Sequence, residues 1–118
     1  MVGTRNNEGT FPMPKYLLEV NYTLDGVKGL KAEGGSARVA AATALVEGLG
    51  GKVESFYFAF GVTDVYVTVD MPDNASAAAA ALAVSAGGGA TSRTVVLLAA
   101  DEVDAATKKQ TAYRPPGN

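Results

Sequence analysis

Cysteine, histidine and tryptophan are all absent from the 118 residues of this chain. Without cysteine there is no disulfide, no thiol nucleophile and no thiolate metal site. Without histidine the commonest general base and metal ligand is missing, and with it every Ser-His or Cys-His nucleophile. Basic charge is not in excess: Lys and Arg total 10 against 12 Asp and Glu, a net charge of -2 at pH 7. That balance argues against nucleic acid or an anionic membrane as partner. Long apolar runs are lacking too. The longest, Ala77 to Val84, is mostly alanine and far short of the roughly 20 residues that span a bilayer. Residues 1–12 (MVGTRNNEGTFP) hold no apolar stretch and do not read as a secretory signal, so the cytoplasm is the expected location. The sequons Asn21-Tyr22-Thr23 and Asn74-Ala75-Ser76 are then accidental.

What is present suffices for one domain. A chain of 12.0 kDa leaves no room for a second core. Area scaling gives burial of about two-thirds of the unfolded surface. The polar, aperiodic segment 1–12 reads as an extension, and Met13 offers a second start. Lys15 to Tyr22 reads as a strand, followed by turn residues and a possible short helix over Asn21 to Gly29. Ser36 is a good N-cap, and Val39, Ala42, Val46 and Leu49 then recur at helical steps until Gly50 and Gly51. Lys52 to Phe60 and Asp64 to Asp70 read as two strands of a hairpin, with Val65, Val67 and Val69 on one face. Ala75 to Ala86 is an alanine-rich helix. Thr91 to Ala100 is a fourth strand, and Asp101 can cap a last short helix.

This β-α-β-β-α-β order marks an α+β, ferredoxin-like sandwich: a four-stranded antiparallel sheet with two helices on one face, plus a short C-terminal helix. The expected domain is 13–112, with 113–118 an extended tail. The sheet face opposite the helices should be polar unless something covers it. Here the second strand is apolar or aromatic on both sides, so a homo-oligomer is expected, pairing through the open face with Phe56, Phe58 and Phe60 at the interface.

The run Phe56-Tyr57-Phe58-Ala59-Phe60-Gly61-Val62-Thr63-Asp64-Val65-Tyr66-Val67-Thr68-Val69 resembles the central motif of the GYD-domain proteins. The stretches Met13-Pro14-Lys15-Tyr16, Asn21-Tyr22-Thr23 with Gly26-Val27-Lys28, Glu47-Gly48-Leu49-Gly50-Gly51-Lys52 and Met71-Pro72-Asp73 are similar as well. The resemblance covers about residues 13–107. It departs at Thr63, where the family usually has Tyr, so no role resting on that Tyr transfers. The family resembles the dimeric α/β-barrel group, in which two ferredoxin-like sheets face each other. It implies no agreed reaction.

The candidate site residues are few. Gly61 permits a positive φ at the hairpin turn, and Asp64 either bonds nearby backbone amides or stands as a carboxylate at a cavity mouth. Asn21, Tyr22 and Lys28, leaving the first strand, can bind a polar ligand or form a capped turn. Tyr66, with the aromatic residues of the hairpin, lines a cavity or simply packs. Arg38 and Arg93 can meet an anion, a surface role being the plainer reading. Gly48 to Lys52 is no phosphate loop, because its glycines follow a helix instead of preceding one. Asp101, Glu102 and Asp104 suit a helix N-terminus, not a metal. No catalytic residue, metal or cofactor is implied. The expected function is a non-catalytic oligomeric binding or accessory module, with the terminal tails able to hold a second protein. The alternative is a cofactor-independent enzyme acting on a small, largely apolar substrate between sheet and helices, with Asp64, Tyr22 or Tyr66 moving a proton.

Overall fold

The computed structural model describes residues 13–118, so the expected N-terminal extension 1–12 lies outside the described residues. Its elements are β1 (Lys15–Tyr22), α1 (Leu24–Glu33), α2 (Gly35–Gly48), β2 (Lys52–Phe58), β3 (Val65–Asp70), α3 (Asn74–Ala86), β4 (Ala90–Leu97) and α4 (Ala100–Thr107). The strands form one antiparallel sheet in the order β2-β3-β1-β4. This is the ferredoxin-like α+β arrangement with a C-terminal helix that the element order implied.

The first crossover holds two helices where one and a turn were expected. Thr23 caps α1, its Oγ1 accepting from Gly26 N at 3.2 Å. Gly34 then ends α1 and begins α2 at once. Its φ of 89° lies in the left-handed region that favours glycine, and its N–H donates to Leu30 O at 2.7 Å. Ser36 therefore sits inside the first turn of α2 and does not cap it. Asp73 caps α3, accepting from Ser76 N at 2.8 Å. At α4 the Glu102 carboxylate reaches back to Ala99 N at 2.8 Å, so that helix starts at Ala100, before Asp101.

Register assigns the two sheet faces. Tyr16 pairs with Val69 and Val96, Leu18 with Val67 and Thr94, Val20 with Val65 and Ser92. These residues face the helices. Lys15, Leu17 and Glu19 face the other way, beside Asp70, Thr68 and Tyr66 on β3. On β2 the alternation is broken by a register shift between Val53 and Ser55. The extra residue puts Val53 on the same side as Phe56 and Phe58, opposite Val69, Val67 and Val65.

The core gathers Tyr16, Val46, Val67, Val69, Met71 and Ala77, all buried. Tyr16 donates its hydroxyl to Asn74 Oδ1, anchoring the start of α3 to the sheet. Gly51 is packed so closely that a Cβ there would lie 2.4 Å from Met71 Sδ and 2.6 Å from Asp70 O. On the far side of the sheet Lys15 Nζ pairs with Asp70 and Glu54, each at 2.8 Å.

Gly51→Ala should therefore destabilise the fold by about 1–3 kcal/mol through overpacking. Gly48→Ala, whose Cβ would meet nothing within 4 Å, should not. Denaturant unfolding of the two variants checks this. Asp73 gives a second expectation. The Ser76 N–H bonded to its carboxylate holds it below the usual carboxyl range. A depressed folded-state pKa stabilises above the unfolded value, and that stabilisation is lost as pH falls through the folded one. Asp73→Ala should lower Tm at neutral pH, and the gap to wild type should close in acid, as thermal melts across that range will read.

Candidate functional site

Alanine shapes the space between sheet and helices. Ala80 and Ala83 of α3 and Ala42 of α2 turn toward the sheet, and their side chains end at Cβ. The result is a cavity of about 570 Å³, bounded below by Leu18, Val20 and Val67. Leu18 and Val20 lie on an inner strand and on the helix side, yet both are only half-buried. In a filled sandwich those two positions would be sealed.

One end of this cavity is polar. Tyr22, Asp25 and Arg38 line it, and Ser92 Oγ is buried there without a hydrogen-bond partner. Such an orphaned hydroxyl is uncommon in a folded interior. Burial raises the Tyr22 phenol above its ordinary value, the Arg38 charge works against this, and the Asp64 carboxylate adds to the rise. Arg38 has one long contact, Nη1 to Glu33 Oε1 at 3.4 Å, and its side chain is 39% exposed. The guanidinium carries five donors, so most remain free.

The mouth is tied together by backbone. Thr23 N donates to Gly89 O at 3.0 Å and Thr23 Oγ1 to Gly88 O at 2.9 Å. A Cβ on Gly26 would lie 1.8 Å from Gly89 O, so α1 passes the α3–β4 loop at a distance only glycine allows.

The hairpin motif forms a clamp on the end of β1. Asp64 Oδ2 accepts from Tyr22 N at 2.9 Å. Asp64 N donates to Val20 O and to Asn21 Oδ1, both at 3.0 Å. Ala59 N donates to Asp64 O at 2.8 Å. Thr63, the residue before it, is buried, and Arg93 Nη2 donates to its Oγ1 at 3.3 Å while holding Glu19 at 3.0 Å.

The structure separates the residues singled out from sequence. Of them, Tyr22, Arg38 and Phe56 line the cavity. Asn21 and Asp64 bond to each other in the clamp, where Asp64 meets backbone amides. Lys28 is exposed on α1 and does not reach the cavity. Tyr66 lies on the opposite sheet face, beside Tyr57 and Glu19. Gly61 has no positive φ, so the turn does not need glycine for that reason. The aromatic triplet is also corrected. Phe56 and Phe58 face the helices, with ring centroids 5.2 Å apart, because the β2 bulge sets their register against Val67 and Val65. Phe60 lies beyond the strand and is fully exposed. Leu18, Val20, Ala80 and Ser92, which the sequence did not single out, enter the site beside Tyr22, Arg38 and Phe56.

Among the described residues no group of three His, Cys, Asp or Glu side chains is placed to hold a metal ion. Nor is any helix among them long and apolar enough to cross a membrane.

Fold and site thus define a ferredoxin-like α+β domain with a hollow between sheet and helices. The GYD domain family model matches residues 16–107, most of the chain, and the chain belongs to that family. No curated protein and no solved structure matches it.

Asp64→Ala would strand the amide of Tyr22 while the backbone bonds of residue 64 and the β1–β3 pairing remain. A loss of about 1–3 kcal/mol is expected, the range for a bond to a charged acceptor. Asp64→Asn, which keeps an acceptor, should lose less, as urea unfolding of both variants can establish.

Proposed function

We propose that this chain is a non-catalytic oligomeric binding or accessory module that pairs through its open sheet face. Among the described residues nothing covers that face, and this carries the reading. Three rows of side chains cross it: Leu97, Lys15 and Asp70; Val95, Leu17, Thr68 and Ser55; Arg93, Glu19, Tyr66 and Tyr57. Tyr57 is 70% exposed, Tyr66 is exposed beside it, and Val95 is exposed on the far edge strand. The C-terminal helix does not shield them. Every residue from 98 to 118 is exposed, including Leu98, Val103 and Tyr113.

A second copy of the same chain suits this surface. The charges on it are already engaged within the chain, Lys15 with Asp70 and Glu54, Arg93 with Glu19. Covering the face therefore leaves fewer unpaired charges, which would be costly to bury. A two-fold axis would set the same patch against itself, the commonest closed arrangement. The arm from Leu98 onward leaves the edge strand β4 and is free to lie across a partner. Phe60, the one member of the aromatic triplet outside the helix side, is exposed beyond the opposite edge strand, β2.

The catalytic alternative has less support. It needs a proton-moving group inside the cavity. Asp64 gives a carboxylate oxygen to the Tyr22 amide and Tyr66 stands on the other face, which leaves the Tyr22 phenol, raised above its ordinary value by burial, as the one of the three that lines the cavity. The cytoplasm remains the location we propose.

Sedimentation equilibrium tests the pairing. The wild type should show at least twice the 12.0 kDa of one chain. Val95→Asp should fall to the monomer mass and stay folded, whereas Phe58→Asp should lose stability, since its ring packs under the helices. A wild type that sediments as a monomer at every concentration would contradict the reading.

A further inference from the structure

The helix-side cavity has the size of a ligand site, since pockets for small molecules run from about 300 to 1,000 Å³. Its body is apolar, and its polar groups gather where α1, α2 and the ends of β1 and β4 meet. Three of those groups donate hydrogen bonds: the Arg38 guanidinium, the Tyr22 hydroxyl and the unpartnered Ser92 hydroxyl. The guanidinium only donates, so its ligand must accept, the two hydroxyls can donate to the same group, and the arginine favours an acceptor with negative charge. The acids nearby limit that charge. Asp25 lines the same cavity, and Glu33 touches Arg38 at 3.4 Å. A dianion such as a phosphate monoester would meet two carboxylates, while a single carboxylate meets one free fork of the guanidinium. An ammonium ligand would face Arg38 first, because Asp25 is exposed and Arg38 is partly buried.

We propose that this cavity binds a small monocarboxylate with a compact apolar body, its carboxylate on Arg38, Tyr22 and Ser92 and its body against Leu18, Val20 and Val67. The site gives the module a small-molecule function that pairing alone does not supply. It stands independently of pairing, because the cavity and the open face are on opposite sides of the sheet.

The test uses 2-naphthoate and its neutral counterpart 2-naphthamide as probes, titrated into the full chain and followed by calorimetry and backbone amide shifts. Wild type should bind one 2-naphthoate per chain, saturably, and 2-naphthamide about ten-fold more weakly, with shifts at Val67, Ala80 and Ser92. Arg38→Gln should erase the preference for the acid by weakening 2-naphthoate about ten-fold while leaving the amide unchanged. Ala42→Leu should fill the cavity and abolish both, with its melting temperature showing that it is folded. Ala80→Leu does the same from the other wall should Ala42→Leu fail to fold. Three results would each overturn the proposal: no saturable binding of either probe to folded wild type, an acid preference that survives Arg38→Gln, or undiminished binding in a folded cavity-filling variant. A dimer that binds neither probe overturns this site alone, and a monomer that binds 2-naphthoate overturns pairing alone.

Discussion

Side-chain volume is the constraint on which this structure turns. A helix lying on a sheet normally closes the gap with Leu, Ile or Phe. Here α3 reaches the sheet with Ala77 and Ala80, whose side chains stop one carbon from the backbone. At one end of the sandwich the shortage is made good from below and from the flanks: Tyr16, Val69, Met71 and Val46 fill the space, and Gly51 lets the chain close over Met71. At the other end the large side chains, Tyr22, Leu30, Leu45 and Phe56, stand around the space without filling it. Val20, Tyr22 and Ala90 face Gly26, Ala83 and Gly87, and the two layers stand apart.

A hollow of this kind persists only if its walls are fixed by something other than the core. Backbone hydrogen bonds supply that. The Asp64 clamp fastens the β2–β3 hairpin to the end of β1. The two bonds from Thr23 to Gly88 and Gly89 fasten the start of α1 to the loop before β4. Gly26 and Gly89 make contact where any larger residue would force these layers wider. The stretches that resemble the family thus supply the frame of the cavity through Thr23 and Asp64 and part of its lining through Tyr22, Phe56 and Val67. Sheet and helices make one compartment, and the uncovered sheet face makes a separate surface.

Much of this was legible in the residues themselves. The order of strands and helices followed from alternation in Lys15 to Tyr22 and Asp64 to Asp70 and from the glycine stops after each helix. The GYD-like run around Asp64 identified the family, and the structural reading of Asp64 matches the bonds it makes. What was not legible depended on register. Lys52 to Phe60 is apolar on both faces, so alternation could not say which side Phe56 and Phe58 would take; a single extra residue at Glu54 decided it. The helix break at Gly34 was hidden for a similar reason. Ser36 is the better cap by residue type, but a left-handed glycine two residues earlier joins two helices without any side-chain bond. The cavity lining was out of reach because alanine favours a helix whether or not it fills the space beneath.

The claim that the small residues leave an accessible apolar hollow can be tested without any choice of ligand. Xenon enters such spaces in crystals and reports them by its density. A crystal of this chain under xenon pressure should show the gas between Leu18, Val20, Val67 and Ala80. Absence of xenon there, with α3 lying closed onto β1 and β3, would contradict the hollow and the binding function built on it.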